Sequence, residues 1–302
     1  FIIINDCSTD SSRDIIKSYN DRRIKLFDNE KTLGITSSLN KGLGLAQGEY
    51  IARQDADDIS LPKRLEREVI FLNQNPRVGL VMTFFTAINA TGEFLQEFRP
   101  PISSKLIKKK LRSKNTIPHG TVLFRKECIN KVGYYRQELK YCEDFDLWLR
   151  IAQLYDFGTV AEPLYQWRLN VSSVSSENKF IQEKSMELAL RLNEERLSAG
   201  TDRIERKEFN EAEWQKELLK IKNNEFNKNQ IVYSYQYRGN SFLLNHKHKE
   251  ALRCYVQSLR LNLLNPKTWF LIVAALIKIV LPKLIFKFLL VVYSKCQPKT
   301  NY

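Results

Sequence analysis

The sequence predicts an α/β fold: a mostly parallel sheet flanked by helices, followed by an α-helical C-terminal extension. Two observations carry this expectation. Across residues 1–76, short apolar runs alternate with stretches of helical spacing in the order β-α-β-α-β-α. That order builds a parallel sheet with helices on its faces. From about Ser176 onward the strand signals stop, while helical ones continue.

The elements follow in order. "FIII" is a strand that runs into the polar tip "NDCSTDSS". "SSRDIIKSYND" has helical spacing with an acidic residue early. "RIKLFDNE" is a second strand, and "GITSSLNKGLGLAQG" is a helix bounded by Gly34 and Gly48. "EYIARQDADD" is a third strand ending in acid. "LPKRLEREVIFLNQNP" is a helix with Pro62 near its start, where proline is tolerated. "VGLVMTFFTAINATGEFL" reads as two strands around an Asn89–Gly92 turn, "GTVLFRK" as a short buried strand, "EDFDLWLRIAQLY" as a helix and "DFGTVAEPLYQWRLN" as a strand. Charged helical stretches then occupy about Lys179–Ala199 and Arg203–Asn224.

Composition narrows the class. An apolar fraction of 43% over 302 residues supports a full core and excludes a disordered chain. Five scattered cysteines, none in a CxxC, and three histidines argue against a zinc cluster or a disulfide framework and fit a reducing compartment. The net charge of +14 is concentrated at one end. From Phe226 onward there are 12 Lys or Arg against one acidic residue, Glu250, which leaves +3 for the first 225 residues. Nucleic acid and an anionic membrane surface are the two partners such a patch fits. The charges are interleaved with aliphatic residues more than with exposed aromatics, which favours lipid over base stacking.

Ligands of open α/β sheets bind where loops leave the carboxyl ends of the strands, and both acidic tips fall there. Asp55 and Asp57 flank one alanine. In extended backbone, alternate side chains project to the same side, so the two carboxylates can converge on a hard cation such as Mg2+ or Mn2+, shared with substrate phosphates. Asp58 can cap the helix that follows. Further on, Glu143 and Asp144 open an amphipathic helix, where the helix dipole favours a carboxylate.

"IINDCSTDSS", "GITSSLNKGLGLAQGEYIARQDADDISLPKRLE" and "PHGTVLFRKECINKVGYYRQELKYCEDFDLWLRIA" resemble, in that order, the hallmarks of family 2 glycosyltransferases with the GT-A fold. The similarity covers roughly Phe1–Ser175. It implies that Asp6 binds the nucleotide base, that Asp55 and Asp57 bind the metal and the nucleotide-sugar, and that Asp144, with Glu143 beside it, is the catalytic base of an inverting displacement. It also implies a preceding strand and loop that grip the nucleotide, so the sequence reads as the remainder of a longer protein. The family's tyrosine–arginine–x–histidine run is "QWRLNVSSVS" here. Asn170 stands in the place of its histidine, and Arg168 remains for a phosphate. His119 could face donor or acceptor.

The domains expected are a transferase domain over residues 1–175, a helical region over 176–265 and an apolar, basic tail over 266–302. Tyr235, Gly239, Phe242, Ala251, Tyr255 and Ser258 follow the small-and-large spacing of one tetratricopeptide-type hairpin, which cannot bury both faces alone. Trp269–Tyr293 is long enough to span a bilayer, but Lys278, Pro282, Lys283 and Lys287 interrupt it, which points to two interfacial helices hinged near Pro282. The function expected is transfer of a sugar from a nucleotide-diphosphate donor to a glycan or lipid-linked acceptor in surface polysaccharide biosynthesis, on the cytoplasmic face of the membrane, with no nucleic-acid partner. The rival reading is a catalytically impaired remnant that serves as a membrane-docked interaction module.

Overall fold

The computed structural model describes residues 1–169, 178–223 and 228–280. β1 (Ile2–Asn5) and β2 (Lys25–Asp28) pair in parallel, Ile3 opposite Leu26, with α1 (Ser12–Ser18) as the crossover between them. They form a two-stranded sheet of their own. α2 (Ile35–Leu45) packs on β1, and then the chain enters the larger sheet through β3 (Tyr50–Ala52). β4 (Ile59–Ser60), α3 (Arg64–Gln74), β5 (Val78–Ile88), β6 (Phe94–Phe98), β7 (Val122–Arg125) and β8 (Asp156–Arg168) complete the strand set with the first of its helices.

The six-stranded sheet has the order β3-β7-β5-β8-β4, with β6 on β5. The α/β architecture is the one the sequence predicts, but strand direction differs from a parallel run. β3 and β5 both pair antiparallel with β7, Ile51 opposite Phe124 and Val81 opposite Leu123, and β4 pairs antiparallel with β8. The short β7 carries an uninterrupted apolar face on each side, Val122, Leu123 and Phe124 all buried. It therefore takes the central place between β3 and β5 that a strand buried on both faces must occupy.

Helices complete the frame. α4 (Ser104–Leu111) starts on Ser103, whose hydroxyl accepts from the Leu106 N–H at 3.3 Å. α5 (Lys126–Val132) follows β7, and α6 (Glu143–Leu154) buries Phe145, Leu147, Trp148 and Ile151. Asp146, fully buried on α6, is paired with Arg150 at 2.9 Å, Arg136 at 3.5 Å and Arg196 at 3.6 Å. Arg196 belongs to α7 (Lys179–Ala199), and Arg136 also reaches Asp202 at 2.7 Å. Buried charges persist only when paired, so this network fixes the register of α6. The turns that follow α7, tied by Asp202 to the N–H groups of Ile204 and Glu205, delay the next helix. α8 runs from Glu211 to Asn223 instead of starting near Arg203.

The chain divides into two units. The first comprises Phe1–Phe85, Phe98–Gln166 and Gln182–Glu211; the second comprises Thr86–Glu97, Trp167–Ile181 and Ala212–Tyr302. In the second unit α9 (Lys228–Leu244) and α10 (His248–Leu261) form a helical hairpin. Its spacing has a steric cause: a Cβ on Gly239 would overlap the Tyr255 ring. Ala251, Tyr255 and Ser258 are fully buried, and the Tyr255 hydroxyl donates to Asn240 at 2.7 Å. The face such a hairpin leaves open is covered by α11 (Pro266–Val280), whose Leu271, Ala274 and Ala275 join Leu243, Ala251 and Tyr255 in one apolar cluster. Pro282 and the expected second tail helix lie outside the described residues.

Candidate functional site

The strand that carries the acidic motif ends at Ala52, and Asp55–Asp58 form a turn, the Asp58 N–H donating to the Asp55 carbonyl at 3.4 Å. The two carboxylates of the motif are thus presented by a turn rather than by the pleat of a strand. Four residues that the sequence pattern does not single out hold it. The Tyr165 hydroxyl donates to Asp58 at 2.7 Å and accepts from the Asp55 N–H at 3.3 Å. Arg64, 2% exposed, lies 4.9 Å from the Tyr165 ring centre and donates to the Arg53 carbonyl at 3.1 Å, to the Gln54 side chain at 3.3 Å and to the Ser60 hydroxyl at 2.8 Å. Glu68 lies 3.2 Å from Arg64, and burial, partly countered by Arg64, raises the Glu68 carboxyl. Arg53 is buried and ion-paired with Asp55. Asp57 is exposed.

The predicted base sits at the start of α6. Asp144 lies on the wall of a pocket of about 430 Å3 in the first unit. One carboxylate oxygen accepts from the Asn115 amide at 2.9 Å and the other from the Phe145 N–H at 2.7 Å. Burial raises the Asp144 carboxyl above the usual range; the bonds from Asn115 and Phe145 and the charge of Arg53 pull the other way. Glu143 is buried, its Oε2 has no hydrogen-bond partner, and burial followed by repulsion from Asp144 raises it too. A carboxyl pushed towards neutrality on a pocket wall, with a second one beside it in sequence, is the environment in which acid–base groups are found. The charge of Arg53, ion-paired with Asp55, also lowers both members of this pair slightly.

The other predicted residues are placed differently. Asp6 follows β1, and its carboxylate accepts from Asn29 at 2.7 Å and from the Leu33 and Gly34 N–H groups at 2.8 Å each. Burial works against the charge, but those bonds and Ser38 together bring it below the ordinary carboxylate range. Asp6 therefore organises its own 29–34 loop. Arg168 lies in the second unit, donating to the carbonyls of Asn89 at 3.2 Å and Ala90 at 3.0 Å. Asn170 lies outside the described residues. His119 shares a hydrogen bond of 2.9 Å with the Tyr135 hydroxyl and lies 5.7 Å from the Trp148 ring; burial and then Arg53 push it well below its ordinary pKa, so it is neutral.

Mg2+ and Mn2+ take oxygen ligands and commonly use one or two carboxylates plus substrate phosphates. Asp55 and Asp57, on one accessible turn, fit that donor set. Among the described residues no cluster of three or more His, Cys, Asp or Glu could hold a metal by protein side chains alone.

The fold resembles that of the GT-A glycosyltransferases. Residues 1–133 match the sequence model described as Glycosyl transferase family 2. An uncharacterised glycosyltransferase of Methanocaldococcus jannaschii is 34% identical over 172 residues, 56% of this chain and 59% of the relative. The O-antigen biosynthesis glycosyltransferase WbnJ of Escherichia coli is 39% identical over 132 residues, 43% of this chain and 50% of the relative. The chain thus spans between half and three fifths of these relatives' lengths. Among solved structures, S. aureus TarS aligns with 90% of this chain and 44% of its own, at a TM-score of 0.50 and 17% identity, which is a likeness of fold.

Proposed function

We propose that this protein transfers a sugar from a nucleoside-diphosphate donor to a glycan or lipid-linked acceptor in surface polysaccharide biosynthesis, with inversion at the anomeric carbon. The observation that carries this reading is the Asp144 carboxylate, held by Asn115 on a pocket wall and made more basic by burial. The match to the family model and the O-antigen role in WbnJ's name support the substrate class.

In this mechanism Asp144 accepts the proton of the acceptor hydroxyl as its oxygen bonds to the anomeric carbon. The bond from that carbon to the diphosphate breaks, and the electron pair leaves with the phosphate oxygen. A single base on the face opposite the leaving group gives inversion. Mg2+ or Mn2+ held by Asp57 and Asp55 would neutralise the negative charge of the departing diphosphate. Arg64 and Tyr165 keep the acidic turn in shape, and Arg53 balances the charge of Asp55 and of the base pair.

The same reading places the protein on the surface of an anionic bilayer. Among the described residues no helix is long and apolar enough to cross a membrane. Trp269, Val273 and Leu276, spaced so as to share one face of α11, are each about half exposed, as an interfacial helix requires. The test is release of nucleoside diphosphate from a panel of nucleotide-sugars, with Mn2+ and a mixed acceptor pool. The reading requires one donor to be consumed with transfer and requires Asp144→Asn to stop it. No turnover of any donor would leave the interaction-module reading in its place.

A further inference from the structure

The first 225 residues carry a net charge of only +3, yet six of their Lys or Arg fall within residues 105–114, with no acid among them. α4 divides these cations between two faces. Its inner face packs Ile107 and Leu111, both buried, on the first unit. Ser104 and Lys108, on the same side, meet Asp156 at 3.0 and 3.1 Å. The outer face presents Lys105, Leu106, Lys109 and Lys110, all exposed, and the exposed Arg112 and Lys114 follow it. Among the described residues none of Lys105, Lys109, Lys110, Arg112 and Lys114 is in an ion pair. Like charges three and four positions apart on a helix repel, and Lys105, Lys109 and Arg112 stand in that relation. Packing therefore accounts for the inner face of α4 and not for the outer one. Two aliphatic side chains lie among the cations. Leu106, 42% exposed, is one turn from Lys109 and Lys110, and Ile102, 59% exposed, precedes the helix. Residues 102–114 contain no aromatic side chain.

We propose that the outer face of α4 docks on an anionic lipid bilayer, its cations at the head groups and Leu106 and Ile102 at the acyl boundary. The charge selects an anionic partner. The aliphatic pair selects lipid over single-stranded nucleic acid, which is held by aromatic side chains stacked on its bases. Lysines, point charges on long apolar stems, suit a fluid array of head groups. The proposal rests on the membrane association argued above, but it uses different residues, in the other unit from α11. A basic patch without a second, apolar signal holds a protein only weakly, so α4 adds to α11 and does not replace it. Lys110 also lines the pocket that contains Asp144, so the docking face borders that pocket.

The test is co-sedimentation of the whole chain with vesicles of phosphatidylcholine, with and without phosphatidylglycerol, over a range of salt. Each cation near an anionic surface is worth about fivefold in affinity. Lys105→Gln, Lys109→Gln, Arg112→Gln and Lys114→Gln together should weaken binding to the phosphatidylglycerol vesicles by about 100-fold and flatten its salt dependence. Lys110 is left in place because it lines the pocket. Lys105→Arg, Lys109→Arg and Lys114→Arg, which keep the charge, should bind like wild type. The proposal is overturned if the glutamine variant keeps wild-type affinity and salt dependence. If Trp269→Ser with Leu276→Ser weakens binding in that same experiment, the membrane reading then stands on α11 alone. Loss of binding by the arginine variant would also overturn the proposal, since charge would not be what the surface reads. So would a wild-type preference for single-stranded RNA over the phosphatidylglycerol vesicles that the glutamine variant loses, which would assign the face to nucleic acid. A wild-type chain that binds neither kind of vesicle refutes this contact and the membrane reading together.

Discussion

The Asn115 side chain donates a hydrogen bond of 2.9 Å to the carboxylate of Asp144, across 29 residues of sequence. This contact fixes one oxygen of the carboxylate, and the Phe145 N–H holds the other. Asn115→Ala should therefore leave the fold intact and lower the transfer rate by about tenfold, the scale of one charge-assisted hydrogen bond. It should also move the rising limb of the pH–rate profile upward. A fall in rate with an unshifted profile would show that Asn115 shapes the pocket without acting on the base.

Asp144→Asn should cut transfer by about 10²–10⁴-fold, the usual contribution of a general base. Nucleotide affinity by calorimetry should stay close to wild type, because the base acts on the acceptor. Equal loss of both would give Asp144 a structural role at the start of α6.

The pH dependences of rate and stability should run in opposite directions. Burial pushes Asp144 to about 6 and Glu143 to about 7, above the ordinary carboxylate range. A carboxyl raised in this way binds its proton more tightly in the native state than in the unfolded chain. Between the ordinary range and the raised value the native state holds more protons, so stability falls as pH rises. Over the same interval the base becomes ionised and the rate climbs. Melting curves for wild type and Glu143→Gln between about pH 4 and 8 isolate this contribution from that of Glu68, which acts in the same direction. The variant should lose less stability across the interval; identical slopes would sink the assignment.

Asp57→Ala should abolish metal-dependent turnover while leaving the fold unchanged, since Asp57 is exposed. Asp55→Ala should do the same and in addition lower stability, because it leaves the buried Arg53 without its ion-pair partner. Full Mn2+-dependent activity in Asp57→Ala would remove it from the metal site.

Trp269→Ser with Leu276→Ser should weaken binding to anionic vesicles several-fold, and binding by wild type should fall with salt, as expected when attraction to lipid head groups contributes. Deletion of residues 269–302 should release the protein altogether. Vesicle binding that ignores both changes would place the membrane contact elsewhere.

Much of this architecture is written locally. The first three strand–helix alternations, the Asn89–Gly92 hairpin turn and the helix opening on Glu143 each depend on neighbours within a dozen residues, and the sequence pattern anticipates them. The tetratricopeptide-like spacing is legible for the same reason: Gly239 and Tyr255 sit 16 positions apart on adjoining helices and are matched in size. What escapes is tertiary. α4 and α5, of eight and seven residues, are too short to show a helical period. β7 gives no sign in its four residues that β3 lies on one side and β5 on the other. Arg53 and Arg64 look like ordinary surface charges until Asp55, Glu68, Gln54 and Ser60 close around them. The carboxylate pair was visible as a motif, but the pocket whose wall Asp144 forms is assembled from β5, β6, α4 and the segment before β7.

The close fit of Gly120 against Tyr165, where an added Cβ would overlap the hydroxyl, bears on how this domain can be re-engineered. Tyr165 is also the group that bonds Asp58 and the Asp55 N–H. The acidic turn is therefore not a portable cassette. A loop spanning residues 53–60, grafted from a relative to alter donor choice, must travel with compatible residues at 120 and 165, more than 55 and 100 positions downstream. Chimeras joined between those positions should fail, while chimeras that keep the three sites from one parent should retain the turn.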